Sequence, residues 1–168
     1  YLGVFLGIQF LMWTISGLYC SWTDIDDIHG DQFRKTAIVA ASFSNLITPS
    51  NLKPSIAIES IELREISLKP YYWINEKRLY NAQTGELKNG ISKEEALEIA
   101  SKKIVSGIAV KDVKLIDKVG SHHEYRKKLL PAYVISYQNP SNLKVYVSLN
   151  DGELQTVRHC DWRWFDFL

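Results

Sequence analysis

Residues 1–23 carry no Asp, Glu, Lys, Arg or His, and the first acid is Asp24. At about 1.5 Å of rise per residue such a run makes a helix of roughly 34 Å, enough to cross a hydrocarbon core of about 30 Å. A secretory signal predicts a shorter apolar core, a basic start and a small-residue cleavage site, and Leu18-Tyr19-Cys20-Ser21-Trp22 is a poor one. A buried helix of a soluble core is the plainer alternative, and the helical wheel argues against it. Gly3, Gly7, Thr14 and Gly17 share one narrow face, with Gly3 and Gly7 at small-xxx-small spacing. Gln9, Trp13, Ser16 and Cys20 form a more polar neighbouring face. Val4, Ile8, Leu11, Met12, Ile15 and Leu18 fill the remainder. This division predicts a transmembrane helix facing lipid on one side and other membrane helices through Gly3, Gly7, Thr14 and Gly17.

Beyond Asp24 the pattern becomes that of a water-soluble domain. A short helix is predicted over 33–45, and the two prolines of Thr48-Pro49-Ser50-Asn51-Leu52-Lys53-Pro54 mark the entry to the fold. Period-two alternation over 56–67 predicts a strand, with a slip between Leu63 and Ile66 that reads as a bulge. Tyr71-Tyr72-Trp73-Ile74 and Arg78-Leu79-Tyr80-Asn81-Ala82 follow as strands, the second leading into the turn Gln83-Thr84-Gly85-Glu86-Leu87. The period then becomes helical. Ser92-Lys93-Glu94-Glu95 is a capping box, and Ala96, Leu97, Ala100 and Ile104 form one apolar face. Strands resume at Val113-Lys114-Leu115-Ile116, at Ala132-Tyr133-Val134-Ile135-Ser136-Tyr137 and at Lys144-Val145-Tyr146-Val147-Ser148, the last entering the turn Asn150-Asp151-Gly152-Glu153-Leu154. That helix is expected to pack on Tyr133, Val134, Ile135, Val145 and Val147. The turns around Gly85 and Gly152 align at a constant offset, which predicts an internally duplicated strand-rich unit.

Composition narrows the function little. The 46% apolar content averages a very apolar helix with a polar remainder, and 20 basic against 19 acidic groups predict no nucleic-acid partner. Cys20 and Cys160 are uninformative: both could sit near one membrane face, and a disulfide between them is the lesser reading. Asp24, Asp26, Asp27 and Asp31 with His29 supply ligand types for a divalent metal. Their spacing fits no Ca²⁺ loop and one His is few for Zn²⁺, so a solvated turn at the membrane exit is the simpler reading. Ser121-His122-His123-Glu124 reads as a hydrophilic loop. No nucleophile–base pair, phosphate loop or metal-spaced cysteine set occurs, so no catalytic residue is assigned.

Several stretches together carry a resemblance. Ile91-Ser92-Lys93-Glu94-Glu95-Ala96 with Ile99-Ala100, Leu130-Pro131-Ala132-Tyr133, and Val145-Tyr146-Val147 with Asp151-Gly152-Glu153 resemble a PepSY domain. Trp13-Thr14-Ile15-Ser16-Gly17-Leu18-Tyr19, Ile28-His29-Gly30-Asp31 and Trp162-Arg163-Trp164-Phe165-Asp166-Phe167-Leu168 resemble the PepSY-associated transmembrane family. The resemblance implies an α+β protein: a transmembrane helix over 1–23, a membrane-proximal connector over 24–54, a degenerate first PepSY-like half over 55–90, the PepSY domain over 91–158, and the start of a second membrane segment over 159–168. On this reading the chain is a piece of a longer protein of the bacterial inner membrane, with its domain on the periplasmic side. Trp162, Trp164 and Phe165 suit an interface, with Arg163 snorkelling to the headgroups.

Three function classes follow from the resemblance. The leading one is an anchored, non-catalytic binding module whose exposed sheet meets a protein partner outside the cytoplasm. The second is an accessory or electron-transfer component of a ferric-siderophore reductase-like system of iron uptake. Residues 1–22 contain no His, so no haem ligand is assigned within this stretch, and haem in the full-length protein would be held outside it. The third is an inhibitor or regulator of an extracytoplasmic peptidase.

Overall fold

A computed structural model describes residues 2–22, 33–35, 42–52, 57–120 and 123–160. Helix α1 spans Leu2–Trp22 without a charged residue. Within its Leu2–Tyr19 window no residue is buried, although Leu2, Phe10 and Trp13 are large and apolar. Thr14 satisfies its hydroxyl inside the helix by donating to the Phe10 carbonyl at 2.9 Å, which suits a residue surrounded by hydrocarbon. Among the described residues nothing comes within 4 Å of a Cβ built at Gly3, Gly7 or Gly17.

The first sheet is an antiparallel meander of β1 (Ile61–Ile66), β2 (Lys69–Ile74), β3 (Arg78–Asn81) and β4 (Leu87–Lys88). The bulge expected near Leu63 is absent: β1 pairs with β2 without interruption from Ile61↔Ile74 to Ile66↔Lys69. The slip in the apolar pattern has another cause. Leu68 belongs to the hairpin loop, where Ser67 and Leu68 both take positive φ, and Ile66 lies on the opposite face from Ile61 and Leu63. Bulges occur instead in the second sheet, at Val110/Asp112 and Tyr146/Val147.

Helix α2 (Lys93–Lys103) begins with the expected capping box. Ser92 Oγ accepts from the Glu95 amide at 3.2 Å, and Glu95 Oε2 accepts from the Ser92 amide at 2.8 Å. Its buried face is Ala96, Ile99, Ala100 and the C-cap Ile104, with Leu97 only partly buried at the side. The second sheet orders β5 (Val110–Ile116), β6 (Ala132–Tyr137), β7 (Lys144–Ser148) and β8 (Leu154–Arg158), again as an antiparallel meander. Tyr133, Ile135, Tyr137, Val145, Val147 and Val157 share the core with α2. Val134 does not. Strand alternation turns it to the other face, where it packs with Tyr125, Ala132 and Tyr146.

Both sheets contribute to one core: Ile66, Tyr71, Trp73 and Leu79 of the first meet α2 and the inner face of the second. The meanders also repeat their hydrogen bonds. Asn81 N donates to Glu86 O and Gly85 N to Asn81 O, both at 2.8 Å; Ser148 N donates to Glu153 O at 2.9 Å and Gly152 N to Ser148 O at 3.0 Å. The Ala82 amide reaches the Pro70 carbonyl at 2.9 Å as the Leu149 amide reaches that of Pro131 at 3.0 Å. Gly85 and Gly152 both take positive φ in these turns.

The segments before β1 lie against the domain. Ile47 and Leu52 cover Tyr72, Ile74, Tyr80 and Ala82, and the Tyr72 hydroxyl donates to the Ile47 carbonyl at 2.9 Å. Arg34 forms a β-bridge with Ile104, and Val105 N donates to Phe33 O at 2.9 Å. The helix expected over 33–45 is therefore not formed in its described parts, because the backbone there pairs with the end of α2; residues 36–41 lie outside the described residues.

Candidate functional site

The densest polar arrangement joins the two sheets. Alternation along β1 turns Glu62, Arg64 and Ile66 to the inner side. Arg64 Nη1 donates to Asp151 Oδ2 at 2.7 Å and approaches Glu153 at 3.4 Å, while Nη2 donates to Glu62 at 2.7 Å. Its guanidinium lies 5.6 Å from the Trp73 ring centre, within cation–π range. Asp151 is 1% exposed and uses its other oxygen to accept from the Glu153 amide at 3.1 Å. Burial pulls the Arg64 pKa down, but Glu62, Asp151 and Glu153 together outweigh it and raise it. Lys103, close by, is pulled below the ordinary lysine value, chiefly by burial and further by the like charges of Arg64 and Arg34, against the opposing pull of Glu153 and Asp151.

Further ion pairs hold α2 to the first sheet. Lys102 bridges Glu65 at 2.8 Å and Glu98 at 3.1 Å, and Ser67 Oγ donates to Glu98 at 2.6 Å. The Ser67 hydrogen bond, followed by that from Lys102, holds the Glu98 carboxyl below its usual range. Lys88 pairs with Glu95 at 2.9 Å and lies over the Tyr71 ring.

A second cluster lies on the outer face of the second sheet. The sequence reads 121–124 as a hydrophilic loop, yet Tyr125 is fully buried and stacks on Tyr146 with ring centres 4.7 Å apart. The Tyr125 hydroxyl donates to the Leu129 carbonyl at 2.7 Å. Burial, with a smaller effect from Asp151, pushes the Tyr125 pKa up to about 12. Glu124 Oε1 accepts from the Tyr146 hydroxyl at 2.5 Å and from Lys144 Nζ at 3.0 Å, and its side chain is 10% exposed. His123 Nδ1 accepts from the Tyr125 amide at 3.1 Å. His123 is thereby part of the fold of this loop. His122 and Ser121 lie outside the described residues.

The polar side chains of both clusters are engaged in holding the fold. Ser92 is occupied as a cap and His123 accepts a backbone hydrogen bond. His159 is fully buried with its ring edge-on to Phe33 at 5.6 Å. Among the described residues no three His, Cys, Asp or Glu side chains are grouped as metal ligands. The candidate set Asp24, Asp26, Asp27, His29 and Asp31 lies outside the described residues, as do Trp162, Arg163, Trp164 and Phe165. The Arg64–Asp151 pair escaped the sequence reading, although an inward-phase charge beside Ile66 is the signal that marks it. No protein-family model, curated protein or solved structure matches the chain.

Proposed function

We propose that this chain is a membrane-anchored PepSY-like interaction module, with α1 in the bacterial inner membrane and the α+β domain on its periplasmic side. The observation that carries the anchor is α1 itself: 21 uncharged residues, with no residue of its Leu2–Tyr19 window buried against the domain. In water such a face would collapse onto apolar surface, whereas in a bilayer it is already solvated.

The PepSY reading rests on the quoted motifs, and is supported by a capped helix packed on an antiparallel meander. The matched hydrogen bonds of the two turns support a duplicated unit. The recognition surface is the exposed side of the sheets, where edge strand β1 leaves Ile61 40% and Leu63 50% exposed. The module binds a protein and performs no chemistry of its own.

Reporter fusions after Gly90 and Gly120 test the arrangement. Extracytoplasmic reporter activity at both positions is expected, and cytoplasmic activity at both would overturn it. Copurification by the full chain, lost with Leu63→Lys at unchanged membrane level, tests the recognition surface. A partner retained undiminished by Leu63→Lys would move the binding face elsewhere.

A further inference from the structure

The edges of the two sheets are not alike. β4 is two residues long, and β5 and β8 each carry a bulge, with Lys111 and Gln155 as the extra residues. Short strands, bulges and lysines are the devices by which sheet edges avoid further pairing. β1 has none of them. Its six residues pair with β2 without interruption, and Ile61-Glu62-Leu63-Arg64-Glu65-Ile66 contains neither proline nor lysine. Exposed apolar side chains gather along it: Ile61 and Leu63 within the strand, Ile58 before it and Leu68 in the turn after it.

The backbone shows which groups this edge offers. Ser67 and Leu68, both at positive φ, make a two-residue turn, so Ile66 and Lys69 form its closing hydrogen-bonded pair. The bond from the Asn75 amide to the Ser60 carbonyl at 3.0 Å keeps the same phase at the other end. Ser60, Glu62, Arg64 and Ile66 therefore direct their backbone groups to β2, while the N–H and C=O of Ile61, Leu63 and Glu65 point away from it. Among the described residues no strand beyond β1 takes them up.

A second copy of the same strand fits this edge in one register. Antiparallel pairing about a two-fold axis matches outward-directed residues with one another. Centred on Leu63, it sets Leu63 opposite its own counterpart, Ile61 opposite Glu65 and Glu62 opposite Arg64. The neighbouring registers set Glu62 against Glu62 or Arg64 against Arg64, which is destabilising. Charge selects the register and does not drive the pairing, because Arg64 already faces Glu62, Asp151 and Glu153 of its own chain and Glu65 is held by Lys102. The drive comes from new backbone hydrogen bonds and from covering Ile61 and Leu63. Six residues of edge make a small interface, and α1 compensates by holding both copies in one bilayer at high effective concentration.

We infer that β1 pairs with β1 of a second copy of this chain, antiparallel about Leu63, and joins the two first sheets into one. The inference rests on the reading of β1 as the recognition surface and names its partner.

The test uses single cysteines in the full chain with Cys20→Ser and Cys160→Ser, reconstituted in phospholipid vesicles and oxidised with copper phenanthroline. Leu63→Cys should cross-link, because directly opposed residues of a hydrogen-bonded pair have Cα atoms about 5.5 Å apart, within disulfide reach. Ile61→Cys should not, since its two copies lie four residues apart along the paired strands, about 13 Å. Mixed with a Glu65→Cys chain, it should. Leu115→Cys, comparably exposed on the bulged edge strand β5, should stay uncross-linked. Adding Glu62→Lys to the Leu63→Cys chain should lower the yield about fivefold, with protection of the Trp73 amide reporting that the first sheet is intact. An unchanged yield would overturn the register. Equal cross-linking at Ile61, Leu63 and Leu115 would mark random collision and overturn the pairing. No cross-link at Leu63, with a different protein copurified and lost on Leu63→Lys, would overturn the second copy as partner and leave β1 as the recognition surface. No cross-link and no such protein would overturn both readings.

Discussion

Replacing Asp151 tests whether the two sheets are held as one unit. Its carboxylate is 1% exposed and lies 2.7 Å from a guanidinium whose side chain is 18% exposed. Two unit charges about 4 Å apart attract by about 4 kcal/mol at an effective dielectric near 20, and burial of both groups offsets much of that gain. Removing one partner is different, because the other stays buried without its counter-charge. Asp151→Ala should therefore cost about 3–5 kcal/mol, toward the lower end because Glu62 and Glu153 still face Arg64. Asp151→Asn retains an oxygen for the Glu153 amide and loses only the charge-assisted bond, so about 1.5–3 kcal/mol is expected. Glu153 is 51% exposed, and Glu153→Ala should change stability by less than about 1 kcal/mol. The assay is hydrogen exchange of the Trp73 and Val147 amides, in the central strands of the two sheets, for the full chain in detergent micelles. Both amides should lose protection together, and a double-mutant cycle with Arg64→Met should give a coupling of about 1–3 kcal/mol. Asp151→Ala costing no more than Glu153→Ala, or loosening only one sheet, would refute the argument.

Ile99→Ala should cost about 2–5 kcal/mol in the same exchange assay, and Leu97→Ala clearly less; equal costs would mean the buried face of α2 is misplaced. Gly152→Ala combines φ of +67° with a Cβ only 3.1 Å from Ile66, so it should cost about 1–2 kcal/mol of backbone strain plus a packing penalty. Gly107→Ala meets nothing within 4 Å among the described residues and should show the backbone strain alone, a difference visible in paired melting curves. Tyr125 titrates near 12 in the folded state against 10.0 unperturbed. Because the folded value is the higher one, its contribution is intact below pH 10 and is lost as pH rises toward 12, by at most about 1.4 kcal/mol per pH unit. Tyr125→Phe should flatten that alkaline limb of the circular-dichroism melting temperature, and an unchanged limb would refute it.

The chain by itself determined most of its local elements, because local physics decides them; the segment at 33–35 is the exception, pairing with the end of α2 instead of forming the expected helix. An uncharged run of helix-forming residues makes α1, Ser92 and Glu95 start α2 through bonds three residues apart, and alternation with glycine turns makes β6, β7 and the turn at Gly152. Only the tertiary structure decided what those elements face. Ile61 to Ile66 reads as a bulged strand until the Ser67–Leu68 turn is seen to take Leu68 out of it. Val134 is as apolar as Ile135, and only the placement of α2 on one side of the sheet assigns them to different clusters. Arg34 pairs with Ile104, Arg64 with Asp151 and Tyr146 with Glu124 across long stretches of chain. No periodicity encodes such pairs: each member satisfies its own local pattern, and the pairing energy exists only once folding has removed water from between them.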